Sequence, residues 1–421
     1  MSPSLTRRSA AVTAVAAVVA AAAVLAGVSI AAPATPLATD GTQPHDDSLA
    51  QPPNTTSYLH VSEDHLEQST YASVGVDVPG TTAISHDRLR IRLVMDRFEQ
   101  AFDDASTATN RTATIRNATR ALENTTERLR ERQSRAIERY NRGTIDEQSL
   151  FRTLTRVDAA AQTVANETDL LRDIDERALG YVLSEALDTR LENLEADLAS
   201  VRGRTVRQRV VRNAVYGGSM AGTHVYLETG ANTFALATVI ESNYVREAYA
   251  GGAFDPNNTV DPQASTSRIN DLYRWALQPG NLVSVGSEGI GNRIGNTSVQ
   301  EVSINHVQGS FTAYFDGNTS NVYQESQSKR LADAEPRTVL NATNGSLSLS
   351  VVATHDTGPM LVSLTDNATG EPRDGTVYVD DRPLGSLGED GQRWVVDTRA
   401  ATTVRVVADD GSVSILVPTQ N

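Results

Sequence analysis

NRTATIRNATRALENTTERL, residues 110–129, is the stretch on which the fold turns. Its apolar residues Ile115, Leu122 and Leu129 recur every seven positions, and so do Asn110, Asn117 and Asn124, each of which opens an Asn-X-Thr sequon. Outward from it, the stripe continues through Ile91, Val94, Phe98, Ala101, Ala105 and Ala108 on one side and Ala136 and Tyr140 on the other. Alternating steps of three and four are the spacing of a helix with a heptad seam. With Ile91, Phe98 and Ala105 at heptad a, the three asparagines fall at f, farthest from the seam. Thr112, Thr119 and Thr126 then fall at a, facing inward.

The pattern predicts one helix from Asp87 to Tyr140, ended by Gly143, whose missing Cβ suits the left-handed residue that follows a helix. Thr144-Ile-Asp-Glu147 reads as a capping box that opens a second helix. Its stripe is Leu150, Leu154, Val157, Ala161, Val164, Thr168, Leu171, Ala178 and Val182, with the Asn166 sequon again at f. Near Gly180 the phase slips to Leu187, Leu191, Leu194, Leu198 and Val201, as either a stutter in one long helix or a third helix. A short connection makes the first two antiparallel. The expectation over 87–214 is therefore an antiparallel α-helical coiled coil, about 75 Å long at 1.5 Å per residue. Its seam is thin, because Ala105, Ala108, Thr112, Thr119, Thr126 and Gln133 offer little apolar area. A free-standing rod is the preferred reading over a surface awaiting a partner helix.

Beyond Gly217-Gly218, read as a hinge, the period changes from helix to strand. Val225–Leu227, Phe234–Val239 and Tyr244–Tyr249 alternate, an amphipathic helix is expected over Ser267–Leu277, and Val299–Val307, Ser310–Phe315 and Val322-Tyr323 follow. One helix across an antiparallel sheet fits residues 215–332 as a small α+β domain. Six strands are expected in 337–418: Leu347–Val352, Met360–Leu364, Thr376–Val379, Trp394–Val396, Thr403–Val407 and Val413–Val417. They are divided by turn residues, as in a β-sandwich. Before the helices, 57–86 reads as an extended segment whose one or two strands dock onto a later sheet and end at Pro79-Gly80. Residues 40–56 read as a flexible linker.

Arg7 and Arg8 precede an uncharged stretch from Ser9 to Thr39, so 1–39 is expected to be either a cleaved signal peptide or a retained N-terminal membrane anchor. Either places the rest outside the cell. Eleven sequons, at Asn54, Asn110, Asn117, Asn124, Asn166, Asn257, Asn296, Asn318, Asn341, Asn344 and Asn367, agree with export as a glycoprotein. Composition alone would give roughly four. There is no cysteine, which removes disulfides, thiolate metal sites and thiol nucleophiles. The formal charge is −15, and residues 87–212 hold 23 Arg against 22 Asp plus Glu, so no region has the positive field nucleic acid needs. The seven histidines show no paired metal spacing. Gly217-Gly-Ser-Met-Ala221 lacks the second glycine of a nucleophile elbow. Asp255-Pro-Asn-Asn-Thr-Val-Asp261 spaces oxygens as calcium loops do but lacks their glycine and distal glutamate, and reads as an ordinary loop. No catalytic residue, cofactor or metal ligand is expected.

Acidic excess, arginine in place of lysine (Lys329 stands alone) and the order of segments resemble exported surface proteins of halophilic archaea. Thr369-Gly-Glu-Pro372, Gly375-Thr-Val-Tyr-Val379 and Gly391 resemble Ig-like or carboxypeptidase-regulatory-like sandwiches, which implies a module without catalysis. Residues 312–323, TAYFDGNTSNVY, resemble the strand-turn-strand of PepSY-type domains, with Thr319-Ser320 in place of the usual Thr-Gly. The combined expectation is a non-enzymatic, exported cell-surface glycoprotein with a protein or cell-envelope partner. The alternative is a PepSY-like regulator or binder of an extracytoplasmic peptidase.

Overall fold

The computed structural model describes residues 48–50, 58–74, 78–178, 180–216, 223–255, 262–275, 277, 280–286 and 289–419, all within one compact unit, Gln43–Asn421. The expected leader, the 217–218 hinge, Asn54, Asn257 and residues 256–261 of the Asp/Asn loop lie outside the described residues.

Where a single helix was expected there are two: α1 (Val78–Asp103) and α2 (Ala108–Asn141). Thr107 breaks the run by capping α2, its side chain accepting from the Asn110 N–H. Alanines 105 and 108 fit the heptad but do not require a continuous helix, so the stripe hides the break. α1 also begins inside the segment expected to be extended. Pro79 sits in the first helical turn, where its missing N–H costs nothing, and does not act as a stop. Gly143 is left-handed at φ +68°, as the helix end requires. α3 (Glu147–Arg172) is capped not by the Thr144/Glu147 box but by Asp146, whose carboxylate accepts from Ser149 N at 2.8 Å. A short α4 (Ile174–Arg177) and the left-handed Gly180 (φ +77°) separate α3 from α5 (Glu185–Ala199), which resolves the phase slip as a new helix. α6 (Val206–Tyr216) follows.

These helices do not form a free rod. α1, α2, α5 and α6 all pack on α3, and α2, α3 and α6 share a core with a sheet. The sheet joins β1 (Gln68–Val74), β2 (Thr223–Gly230), β3 (Thr233–Ile240) and β4 (Asn243–Ala250) to a second meander, β5 (Val299–His306), β6 (Gly309–Asp316) and β7 (Asn321–Arg330). The two meanders meet edge to edge, β4 antiparallel to β7 with Glu247 opposite Ser326. Short strands at Leu282–Val283 and Asn292–Arg293 both pair with β5, making nine in all. Because β1 completes the edge beside β2, residues 215–332 are not a separable unit.

Strand alternation sends Leu227, Phe234, Leu236, Val245 and Tyr249 toward the helices. The opposite face is also covered. Tyr226, Ala237 and Tyr244 meet the C-terminal sandwich, and α7 (Pro262–Tyr273) lays Ile269 and Tyr273 on Val302, Ile304 and Phe311 of the second meander.

The C-terminal sandwich has eight strands where six were expected. One sheet orders β8 (Thr338–Asn344), β9 (Leu347–Ala353), β10 (Pro359–Asp366) and β13 (Gln392–Val396). The other orders β12 (Arg382–Ser386), β11 (Thr376–Val379), β14 (Thr402–Ala408) and β15 (Gly411–Val417). The two unforeseen strands, β8 and β12, are both edges. β8 is mostly polar and exposed, and β12 carries Pro383 and Gly385, which edge positions tolerate. Inward residues such as Leu349, Val351, Val362, Val377, Val404 and Val406 are fully buried, each a contribution of about 1.5–3 kcal/mol.

Candidate functional site

Nine of the eleven sequons lie among the described residues. Asn110, Asn117, Asn124, Asn166, Asn296, Asn341, Asn344 and Asn367 are exposed. Asn318 is half-buried, its Nδ2 donating to Asp255 Oδ2 at 2.9 Å. Their hydroxyl partners divide the set. Thr119, Thr126 and Thr168 are buried and donate to the carbonyls of Ile115, Leu122 and Val164 at 2.9, 3.1 and 2.9 Å. Ser298 is buried and donates to Asp316 Oδ1 at 2.7 Å. Thr343, Ser346 and Thr369, in the C-terminal sandwich, are exposed. A transferase must read both sequon residues. After folding the sandwich sites are open, whereas Asn117, Asn124, Asn166 and Asn296 have their hydroxyls withdrawn.

A second feature gives little sequence warning. Residues 58–61 run as a strap between the sheet and the sandwich. Arg246 of β4, 1 % exposed, donates from Nε to the Leu59 carbonyl at 3.1 Å and from Nη1 to Thr357 Oγ1 at 3.1 Å. Its guanidinium lies 4.4 Å from the Tyr58 ring centre. Glu325 of β7 accepts from Leu59 N at 3.0 Å, Gln327 Nε2 at 3.1 Å and Tyr273 Oη at 2.7 Å; burial pushes its carboxyl above the usual range. Arg399 of the sandwich reaches Glu228 at 3.2 Å, His60 Nδ1 at 2.6 Å and the Val61 carbonyl. Burial, then Arg399 and Arg246, lower His60 to about 2, and burial lowers His355, 2.6 Å from Tyr58 Oη, to about 3. Both imidazoles are therefore neutral. The only hint in the sequence was charge inside apolar strands, at Glu228, Arg246 and Glu325. Period-two alternation reads such residues as a wet face. Here the sandwich, strap and α7 cover that face.

On the helix side, Arg207 and Glu247 form an ion pair with both side chains fully buried. Arg207 also donates to Gln133 Oε1 at 3.1 Å and the Val201 carbonyl at 3.0 Å. Nearby Asp158 accepts from Gly203 N at 2.6 Å, and burial raises its carboxyl to about 7. Gly203 is required for close approach, since a Cβ there would lie 2.6 Å from Arg207 Cβ.

Concavities open on the surface among the described residues. Grooves of about 290 and 300 Å³ flank α1, toward α3 and toward α2, and one of about 360 Å³ lies between the strap and α7. The last is lined by Ser62, Asp64, His65 and Arg268, and Ser62 Oγ is 2.7 Å from His65 Nδ1, a contact the sequence reading overlooked. His65 N also donates to the Ser62 carbonyl at 3.1 Å, so the pair closes a single 3₁₀ turn. A relay would need the second ring nitrogen oriented by an acid, and the neighbouring Asp64 is exposed and does not bond to it. Among the described residues no cluster of three or more His, Asp or Glu side chains could hold a metal, and no helix is long and apolar enough to cross a membrane.

A bundle and a two-meander sheet capped by an eight-stranded sandwich define a modular protein, and the sandwich, over residues 338–415, matches the archaeal fibronectin-III type-like domain. The chain belongs to the DUF7096 family, a domain of unknown function whose model matches residues 8–219. DUF7094, a family of unknown function, matches 225–335. The two families share one sheet here, since β1 from the first completes the strands of the second. No curated protein and no solved structure matches the chain.

Proposed function

We propose that this is an exported, non-enzymatic cell-surface glycoprotein of a halophilic archaeon, a structural or binding ectodomain. The observation that carries the reading is the placement of the sequons: eight of the nine described sequon asparagines are exposed, on helices and sandwich alike. The uncharged stretch from Ser9 to Thr39, the acidic excess and the archaeal fibronectin-III type-like module support it. In this reading the antiparallel α2–α3 pair, with its heptad seam, is a stiff sugar-bearing face. The withdrawn hydroxyls of Thr119, Thr126 and Thr168 mean that sugars there are added before folding, which requires export of an unfolded chain. Peptide mapping by mass spectrometry on protein from its native host tests this. Sugars at Asn117 and Asn341 are expected. A cytosolic chain bare at every sequon overturns it.

A second reading, a regulator or binder of an extracytoplasmic peptidase, draws support from the β6–β7 hairpin around residues 317–320 with α7 packed across the same meander. Its test is capture of a peptidase by the whole ectodomain, because a 215–332 fragment would lose β1 and its helical cover.

A further inference from the structure

We propose that the sugar chain on Asn124 occupies the groove between α1 and α2 and holds α1 on the bundle, an inference that rests on the glycoprotein reading above. α1 is the least secured of the long helices. Its buried side chains among the described residues are Ile84, Met95 and Phe102, while Leu89, Leu93 and Val94 stand 56, 50 and 38 % exposed. The groove on its α2 side is about 300 Å³, the lower end of the range of small-ligand sites. Asn124 lines it, whereas Asn110 and Asn117 do not.

The walls match a sugar ring, which has an apolar C–H face and a rim of hydroxyls. Ile91, Val94 and Leu122 supply apolar contact. Arg90 and Arg128 supply guanidinium donors, and Arg132, 3.4 Å from Asp87, completes the polar rim. Timing agrees with geometry. Thr126 is 1 % exposed and bonded to the Leu122 carbonyl, so the sugar is attached before α2 packs, and α1 then closes beside it. The groove is thus built around an occupant joined to its own wall. Such a ligand pays no translational entropy on binding, so weak contacts suffice.

Hydrogen exchange on the full chain from a glycosylating host tests the proposal, with occupancy at each sequon read by mass spectrometry. Asn124→Gln should speed amide exchange across residues 79–103 about tenfold, and leave β2–β7 unchanged. Asn110→Gln and Asn117→Gln should leave α1 protection as it is. The wild-type chain made in a host without the transferase gives the same comparison with no substitution, should Asn124→Gln fold poorly. Equal α1 exchange with and without the Asn124 sugar overturns the proposal. So does a bare Asn124 alongside occupied Asn341, Asn344 and Asn367, a result that leaves the glycoprotein reading standing. Bare asparagines at every sequon overturn both.

Discussion

α1 and α3 each span 26 residues, yet α3 buries fifteen side chains where α1 buries Ile84, Met95 and Phe102 among its described residues. Both carry a stripe at helical spacing. What differs is the number of neighbours. α3 is touched by α1, α2, α5 and α6, and its Phe151 and Leu154 join the sheet core, so even Asp158 and Glu167 are covered. Its alanines 159, 160, 161 and 165 let the surrounding elements approach closely. α1 packs chiefly on α2 and α3, with Glu99 reaching Arg177 of α4 at 2.8 Å and Phe102 meeting Tyr181, and has an open groove on either side. Amphipathicity tells which side of a helix is sticky, and the surrounding layers decide how much of the rest is enclosed.

The strongest test of α3's layer is Glu247→Ala, which strands Arg207 in the interior. A loss of roughly 3–5 kcal/mol is expected in urea unfolding. A loss below about 1 kcal/mol would mean that Gln133 and the Val201 carbonyl satisfy Arg207 alone. Next, Leu154→Ala in α3 should cost about 2–5 kcal/mol. Leu93→Ala in α1 should stay within about 0.5 kcal/mol. Comparable losses would erase the contrast between the helices.

The two helices should also separate by pH. Burial first, reinforced by Glu247, raises Asp158 to about 7, against opposition from Arg207 and the Gly203 N–H. The unfolded carboxyl ionises near pH 4. Asp158 therefore weakens the fold progressively from about pH 4 to 7, and Asp158→Asn should flatten that limb of a stability–pH curve. Asp87 in α1 behaves oppositely. Burial would raise it, but the hydrogen bond and charge of Arg156, with Arg132, hold it low. Its contribution is present above the unfolded carboxylate range and is lost as pH falls through its folded value, so Asp87→Asn should remove part of the acid limb only. The smallest effect belongs to Asn367→Gln on the sandwich surface, where the sugar disappears and the thermal midpoint holds. A shift of more than a few degrees would show that this sugar also braces the fold.

Periodicity made much of this architecture legible before the structure. The threonines of the seam, the interior strands of both meanders and the inward rows of the sandwich follow directly from spacing in the chain. What escaped were local choices and shared surfaces. Thr107 interrupts a heptad that alanines let pass unbroken, and Asp146 outcompetes Thr144 for the cap. β8 and β12 lack apolar alternation because edges do not need it. The strap and its partners escaped because a row of Glu228, Arg246 and Glu325 looks solvated until a second layer, far away in the chain, is known to cover it. The Ser62–His65 contact depends on one turn that spacing alone does not reveal.

Tyr58 and Thr357 are 299 positions apart, yet they close on the same guanidinium. During synthesis residues 58–61 therefore cannot settle fully until the sandwich residues that meet them have been made. A product truncated ahead of the sandwich would leave Tyr58 and Arg246 without Thr357 and would be recognisable to a protease. The seating of this one short segment thus reports that synthesis has passed Arg399 of the sandwich.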